Sequence, residues 1–65
     1  MINPSMRYFI LEPRSRHPED IHAFASRIAM ETYARIIQEI DEEVAEKILN
    51  WIHEEEKAFA LLMTN

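Results

Sequence analysis

Residues 19–65 read EDIHAFASRIAMETYARIIQEIDEEVAEKILNWIHEEEKAFALLMTN, a stretch without a single glycine or proline. Residues that favour the helical state dominate it: alanine, glutamate, isoleucine, leucine, methionine, lysine and arginine. Pro18 precedes the stretch and suits the first position of a helix, because its missing amide hydrogen would have no partner there. Glu19 and Asp20 would then lie at the positive end of the helix dipole. We therefore predict a helix that starts at Pro18.

The apolar residues of this stretch lie on two different faces. Placed 100° apart, an early set shares one side of the helix and a later set lies about a third of a turn away. The apolar face therefore rotates between residues 30 and 37. The early set is Ile21, Phe24, Ala25, Ile28, Ala29, Thr32 and Ile36, and the later set is Tyr33, Ile37, Ile40, Val44, Ile48, Trp51, Phe59 and Leu62.

Two structures satisfy this rotation. We favour one long helix of ~70 Å that touches different partners with its two halves, because we find no signal in the local chemistry that stops it. The alternative is two helices broken without a glycine. A rod of this length must lie against other protein.

The N-terminal region has a different composition. Pro4 and Pro13 bracket residues 6–12, which are rich in aromatic and β-branched residues and which we predict to form a strand or extended arm. Such a strand must pair with another copy or with the sheet edge of a partner. We divide the chain into an extended basic arm and connector, residues 1–17, and an acidic amphipathic helical region, residues 18–65.

Charge follows the same division. The chain has a net charge of −5, to which residues 1–18 contribute +2 and residues 19–65 contribute −7. A basic arm on an acidic body can bind the body of a neighbour or reach an anionic partner.

The length of the chain makes folding alone marginal. A chain of 65 residues buries only about 60% of the surface that its unfolded form exposes. It has no cysteine for a disulfide, so self-association is the remaining common support. We expect a mainly α fold, with a short N-terminal extended arm followed by one long helix or two helices, that self-associates. The residues that we expect at the interface are Tyr8, Ile10, Phe24, Ile28, Tyr33, Ile37, Ile40, Val44, Ile48, Trp51, Ile52, Phe59 and Leu62.

The sequence contains no residue pattern that is typical of a catalytic site. Without glycine, neither a phosphate-cradling loop nor a nucleophile elbow can be built. Glu19 and His22 have the spacing of a helical metal-ligand pair. Glu19 would lie in the first turn, however, and the glutamates of the later half lie away from the apolar face, where a shielded metal ion would bind. His53-Glu54 begins like a zinc-protease helix, yet Lys57 stands where the second histidine belongs. We expect no catalytic residues, no metal site and no cofactor.

The sequence also bounds where the protein works. The N-terminus has no signal-peptide pattern, and the apolar runs are far shorter than the ~20 residues of a membrane span. We expect a soluble protein, cytoplasmic or virion-associated and not secreted, whose partners are itself or a larger protein rather than nucleic acid or a membrane.

One stretch resembles a known family. Residues 36–45 read IIQEIDEEVA, which looks like part of the long spine helix in the major capsid proteins of contractile-tailed bacteriophages. The resemblance implies a viral structural component.

Three functions follow from these observations. The first is a non-enzymatic structural, assembly or protein-interaction module, in which arm and helix are the contact surfaces. The second is a DNA-binding dimer of ribbon-helix-helix type, with paired N-terminal strands that carry Arg7 into the major groove. A body with a net charge of −7 disfavours this reading. The third is a small acidic inhibitor or adaptor of a larger protein.

Overall fold

The computed structural model of the chain describes residues 10–64. It contains two helices, α1 over Ile21–Ile37 and α2 over Glu42–Met63. Arg27, in the second turn of α1, lies over the ring of Phe59 in the last third of α2. The helices therefore pack antiparallel as a hairpin, as a short connection between helices favours.

The single long helix that we favoured is wrong, and the alternative of two helices is confirmed. The amides of Ile40 and Asp41 both donate to the carbonyl of Ile37, at 2.9 and 2.8 Å, which closes the end of α1. The carboxylate of Asp41 then accepts the amide of Val44 at 3.2 Å and caps α2. An aspartate followed by two glutamates in the first turn is a helix start that needs no glycine before it.

The predicted start of the first helix is also wrong, by three residues. The amide of Asp20 donates to the carbonyl of His17 at 3.1 Å, so Pro18 occupies the second position of a turn, which proline favours. Asp20 is the N-cap, because its side chain accepts the amide of Ala23 at 3.2 Å. Proline thus fixes the turn before α1 rather than its first residue.

The strand predicted over residues 6–12 is not present where the structure describes it. Residues 10–12 are in neither helix nor strand, and residues 6–9 lie outside the described range. The amide of Glu12 instead donates to Oγ of Ser26 at 3.1 Å. The arm is therefore packed on α1 at this point.

The core between the helices is small. Its buried apolar residues are Ala23, Met30, Ala34, Ala45 and Ile52, and no large side chain of the described residues is fully buried. The Cα trace extends over 40 × 31 × 11 Å. Its smallest dimension, 11 Å, is the thickness of one layer of helices. Stable domains bury apolar faces between at least two layers. The hairpin therefore leaves apolar surface uncovered.

Candidate interaction surface

One side of α1 is an exposed apolar surface, which we name the outer face. Its large members are strongly exposed: Ile21 is 72%, Phe24 56%, Ile28 49% and Ile36 73% accessible. The smaller members are exposed as well. The outer face consists of Ile21, Phe24, Ala25, Ile28, Ala29, Thr32 and Ile36.

The opposite side of α1 is the buried one, although it is more polar. Its buried residues are Ala23, Ser26, Arg27, Met30 and Ala34. At 100° per residue these residues cluster about half a turn away from the outer face. The helix therefore turns its small and polar side toward the arm and α2, and its branched apolar side toward solvent.

Arg27 explains how a polar side can be buried. Its Nη1 donates to the carbonyl of Pro13 at 3.0 Å and to Oγ of Ser15 at 2.8 Å. Its guanidinium carbon lies 5.1 Å from the centroid of the Phe59 ring, which is within the range of a cation-π contact. A buried arginine with these partners is satisfied, and it ties the arm, α1 and α2 together.

A second buried group holds the arm to α2. Both carboxylate oxygens of Glu55 accept hydrogen bonds from the guanidinium of Arg14, and Nε1 of Trp51 donates to Oε2 at 3.0 Å. The hydrogen bond from Arg14 lowers the pKa of Glu55, helped by Trp51 and by the charges of Arg14 and Arg27, against the effect of burial. The bond to Glu55 in turn raises the pKa of Arg14. We name this set of three side chains, Arg14, Trp51 and Glu55, the latch.

Asp20 joins the connector to the start of α1. Its Oδ2 accepts the amide and Nε of Arg16 at 3.1 and 3.2 Å, while Oδ1 caps the helix. The hydrogen bond from the backbone amide of Arg16 is the largest cause that lowers the pKa of Asp20 to about 2, with further lowering from the amide of Ala23 and the side chain of Arg16. The first turn of α1 is therefore fixed relative to the connector.

The residues that we expected at an interface occupy three environments. Ile52 is buried, and Ile37, Ile48, Phe59 and Leu62 are half-buried within the hairpin. The exposed members are Ile10, Phe24, Ile28, Tyr33, Ile40, Val44 and Trp51, and Tyr8 lies outside the described residues. The later apolar set thus turns partly inward, whereas Phe24 and Ile28 of the early set stay uncovered.

A shallow groove borders the outer face. It has a volume of about 190 Å³ and is lined by Phe24, Arg27, Ile28, Glu31, Glu56 and Phe59. Phe24 and Ile28 belong to both features. The uncovered surface therefore continues from α1 toward α2.

Sequence reasoning missed the side chains that fix this arrangement. No pattern in the sequence indicates the contacts of Arg14, Ser15, Ser26 and Glu55. Nothing local marks Ser26 or Glu55 as buried, because Glu12 and Arg14, the arm residues that bind them, lie 14 and 41 residues away in the sequence. Periodicity indicates apolar faces, and these four side chains are polar.

Residues 36–45, which resemble a capsid spine helix, span the end of α1, the turn and the start of α2. The chain matches no protein family, no curated protein and no solved structure. Over residues 10–64, no group of three or more histidine, aspartate or glutamate side chains is arranged to hold a metal ion. Neither of the described helices is long and apolar enough to cross a membrane.

Proposed function

We propose that this chain is a non-enzymatic interaction module that takes part in assembly by presenting the outer face of α1 to another protein surface. The observation that carries the proposal is the exposure of Ile21, Phe24, Ile28 and Ile36 along one side of a helix. These side chains leave on the order of 500 Å² of apolar surface in water, which is as large as the largest patch on a typical monomer.

The polar contacts support this role because they make the surface rigid. The latch and the contacts of Arg27 fix the arm across both helices, and Asp20 and Asp41 cap them. Interaction sites on well-packed helices hold their side chains more accurately than sites on loops. The outer face is therefore presented in one orientation before a partner binds.

A photo-crosslinking side chain tests the proposal. We would place it at Phe24, in the outer face, and as a matched control at Leu61, which is 70% exposed on α2. Irradiation in cells that express the chain should give covalent adducts at position 24 and none at position 61. Equal yields at the two positions, or none at 24, would contradict the proposal.

The ribbon-helix-helix reading gains one observation. Two helices follow the arm, and the ribbon-helix-helix family also has two helices after its strand. One long helix would not fit that element order. It further requires Arg7 to contact DNA. A mobility shift with duplex DNA that weakens steeply with salt would favour this second candidate, whereas no shift at low salt would exclude it.

A further inference from the structure

We infer that the occupant of the outer face is a second copy of the same chain, packed α1 against α1 in antiparallel orientation. This inference rests on the proposed function and names its partner. Three observations carry it: the relief of the face, the distribution of charge between the helices, and the size of the core.

The outer face is complementary to itself. Large residues alternate with Ala25, Ala29 and Thr32, and small residues let helix axes approach to about 8 Å. A twofold axis midway between residues 28 and 29 sets Ile28 of one copy against Ala29 of the other. The same operation sets Ile21 against Ile36. At the centre of the pair, the large side chain of Ile28 thus packs against the small side chain of Ala29. At each end, Ile21 and Ile36 cover one another.

Charge favours α1 over α2 as the contact helix. α1 carries Arg27, Arg35 and Glu31, a net charge of +1, and Glu31 and Arg35 pair with each other at 3.2 Å. α2 carries six glutamates and two lysines, a net charge of −4. An α1 pair leaves the two α2 helices roughly 25 Å apart, well beyond the Debye length of about 8 Å at physiological salt. An α2 pair would bring the two acidic helices together.

Charge also favours the antiparallel orientation. Glu19 precedes the N-cap of α1 and is exposed, and Arg35 lies in the last turn. The antiparallel pair brings Arg35 of each copy to the end that carries Glu19 of the other. The antiparallel arrangement of the two helix dipoles also favours this orientation.

The small core explains why a copy is needed. Three of the five buried apolar residues are alanines, so one hairpin removes little apolar surface from water. Two outer faces together cover on the order of 1000 Å², near the lower limit of a specific interface. Burial of this surface gives each α1 packing contacts on both of its sides, which the single hairpin lacks.

Sedimentation of the full chain tests the partner. We expect a mass of twice 7.8 kDa at micromolar concentration, with reversible dissociation on dilution. Ile28→Glu should raise the dissociation constant about 30-fold or more, while Leu61→Glu should leave it within about twofold, since Leu61 is exposed on α2. Circular dichroism of both variants shows that the hairpin is retained.

Cysteine variants test the orientation, since the chain has no cysteine of its own. In the antiparallel pair, Ala29→Cys should oxidise to a dimer. Ile21→Cys should not, because its two copies lie about 22 Å apart along the axis, far beyond the reach of a disulfide. A mixture of Ile21→Cys and Ile36→Cys should form the mixed dimer. Dimerisation of Ile21→Cys alone would overturn the antiparallel arrangement.

The outcomes separate this inference from the proposed function. A chain that stays monomeric at all concentrations, yet gives an adduct with a different protein at position 24, overturns the second copy and leaves the proposed function standing. A monomer with no adduct at position 24 removes both. Loss of the dimer in Leu61→Glu but not in Ile28→Glu would move the contact to α2 and overturn the inference.

Discussion

α1 and α2 are two amphipathic helices that place their apolar residues differently. In α2 part of the periodic apolar residues turn toward the hairpin, so that Ile52 is buried and Ile48, Phe59 and Leu62 are half-buried. Val44 and Trp51 of α2 stay exposed. In α1 the periodic apolar positions turn outward, and Ser26 and Arg27 take the inner side. An amphipathic pattern therefore does not by itself show that the apolar side of a helix faces the core of its own chain.

The largest expected effect comes from the inner side of α2. Ile52→Ala removes a side chain that is 6% exposed and should lower the free energy of unfolding by about 2 to 4 kcal/mol. Urea denaturation at several protein concentrations measures it. The loss should be present at every concentration, because Ile52 packs inside one hairpin.

Ile28→Ala is the matched change on the outer face of α1. The loss of unfolding free energy that it causes should increase with protein concentration. In the dilute monomer this loss should be no more than ~0.5 kcal/mol. A loss from Ile28→Ala in the monomer as large as that from Ile52→Ala would break the comparison between the helices.

Acid should weaken the contacts of the arm next. The pKa of Asp20 is lowered to about 2 and that of Glu55 is also lowered, so both groups stabilise the fold when they are charged. Their contribution is present above the ordinary carboxyl pKa of about 4 and is lost as the pH falls through the lowered values. Thermal melts between pH 5 and pH 2 should show a falling midpoint.

Two variants identify the groups responsible for this fall. Asp20→Asn keeps an N-capping side chain, and Glu55→Gln keeps an acceptor for Trp51. Each should flatten the decline between pH 4 and pH 2. An unchanged profile in both variants would show that the arm contacts do not contribute.

The turn between the helices should give a smaller effect. Asp41→Ala removes the cap on the amide of Val44 and should cost about 1 kcal/mol, whereas Asp41→Asn should cost a few tenths. Chemical denaturation distinguishes the two. Equal stability of Asp41→Ala and the parent chain would mean that packing alone sets the break.

The smallest expected effect concerns the latch. Trp51 is 48% exposed, so its truncation cannot cost what a fully buried ring would. Trp51→Phe keeps most of the ring and removes the hydrogen bond to Glu55, which should cost about 1 kcal/mol or less. Trp51 is the sole tryptophan, so its fluorescence in Arg14→Gln reports directly whether the latch has opened.

The helical content and the inward side of α2 could be predicted from composition and periodicity alone. The break at residues 38–41 could have been predicted from Asp41, Glu42 and Glu43, but a search for glycine and proline passes over it. The orientation of α1 could not, because it depends on the contacts of Arg27 with Pro13, Ser15 and Phe59. These partners are distant in sequence from Arg27, and no local pattern predicts the contacts.

The proposed interaction depends on the apolar side of α1 facing away from α2. Methyl NMR with a soluble paramagnetic agent measures this directly in dilute solution. We predict strong broadening of the Ile28 methyl signals in the monomer, protection of the same signals as concentration rises, and protection of Ile52 throughout. Ile28 methyl signals that are protected in the dilute monomer would contradict the account, because α1 would then be turned inward.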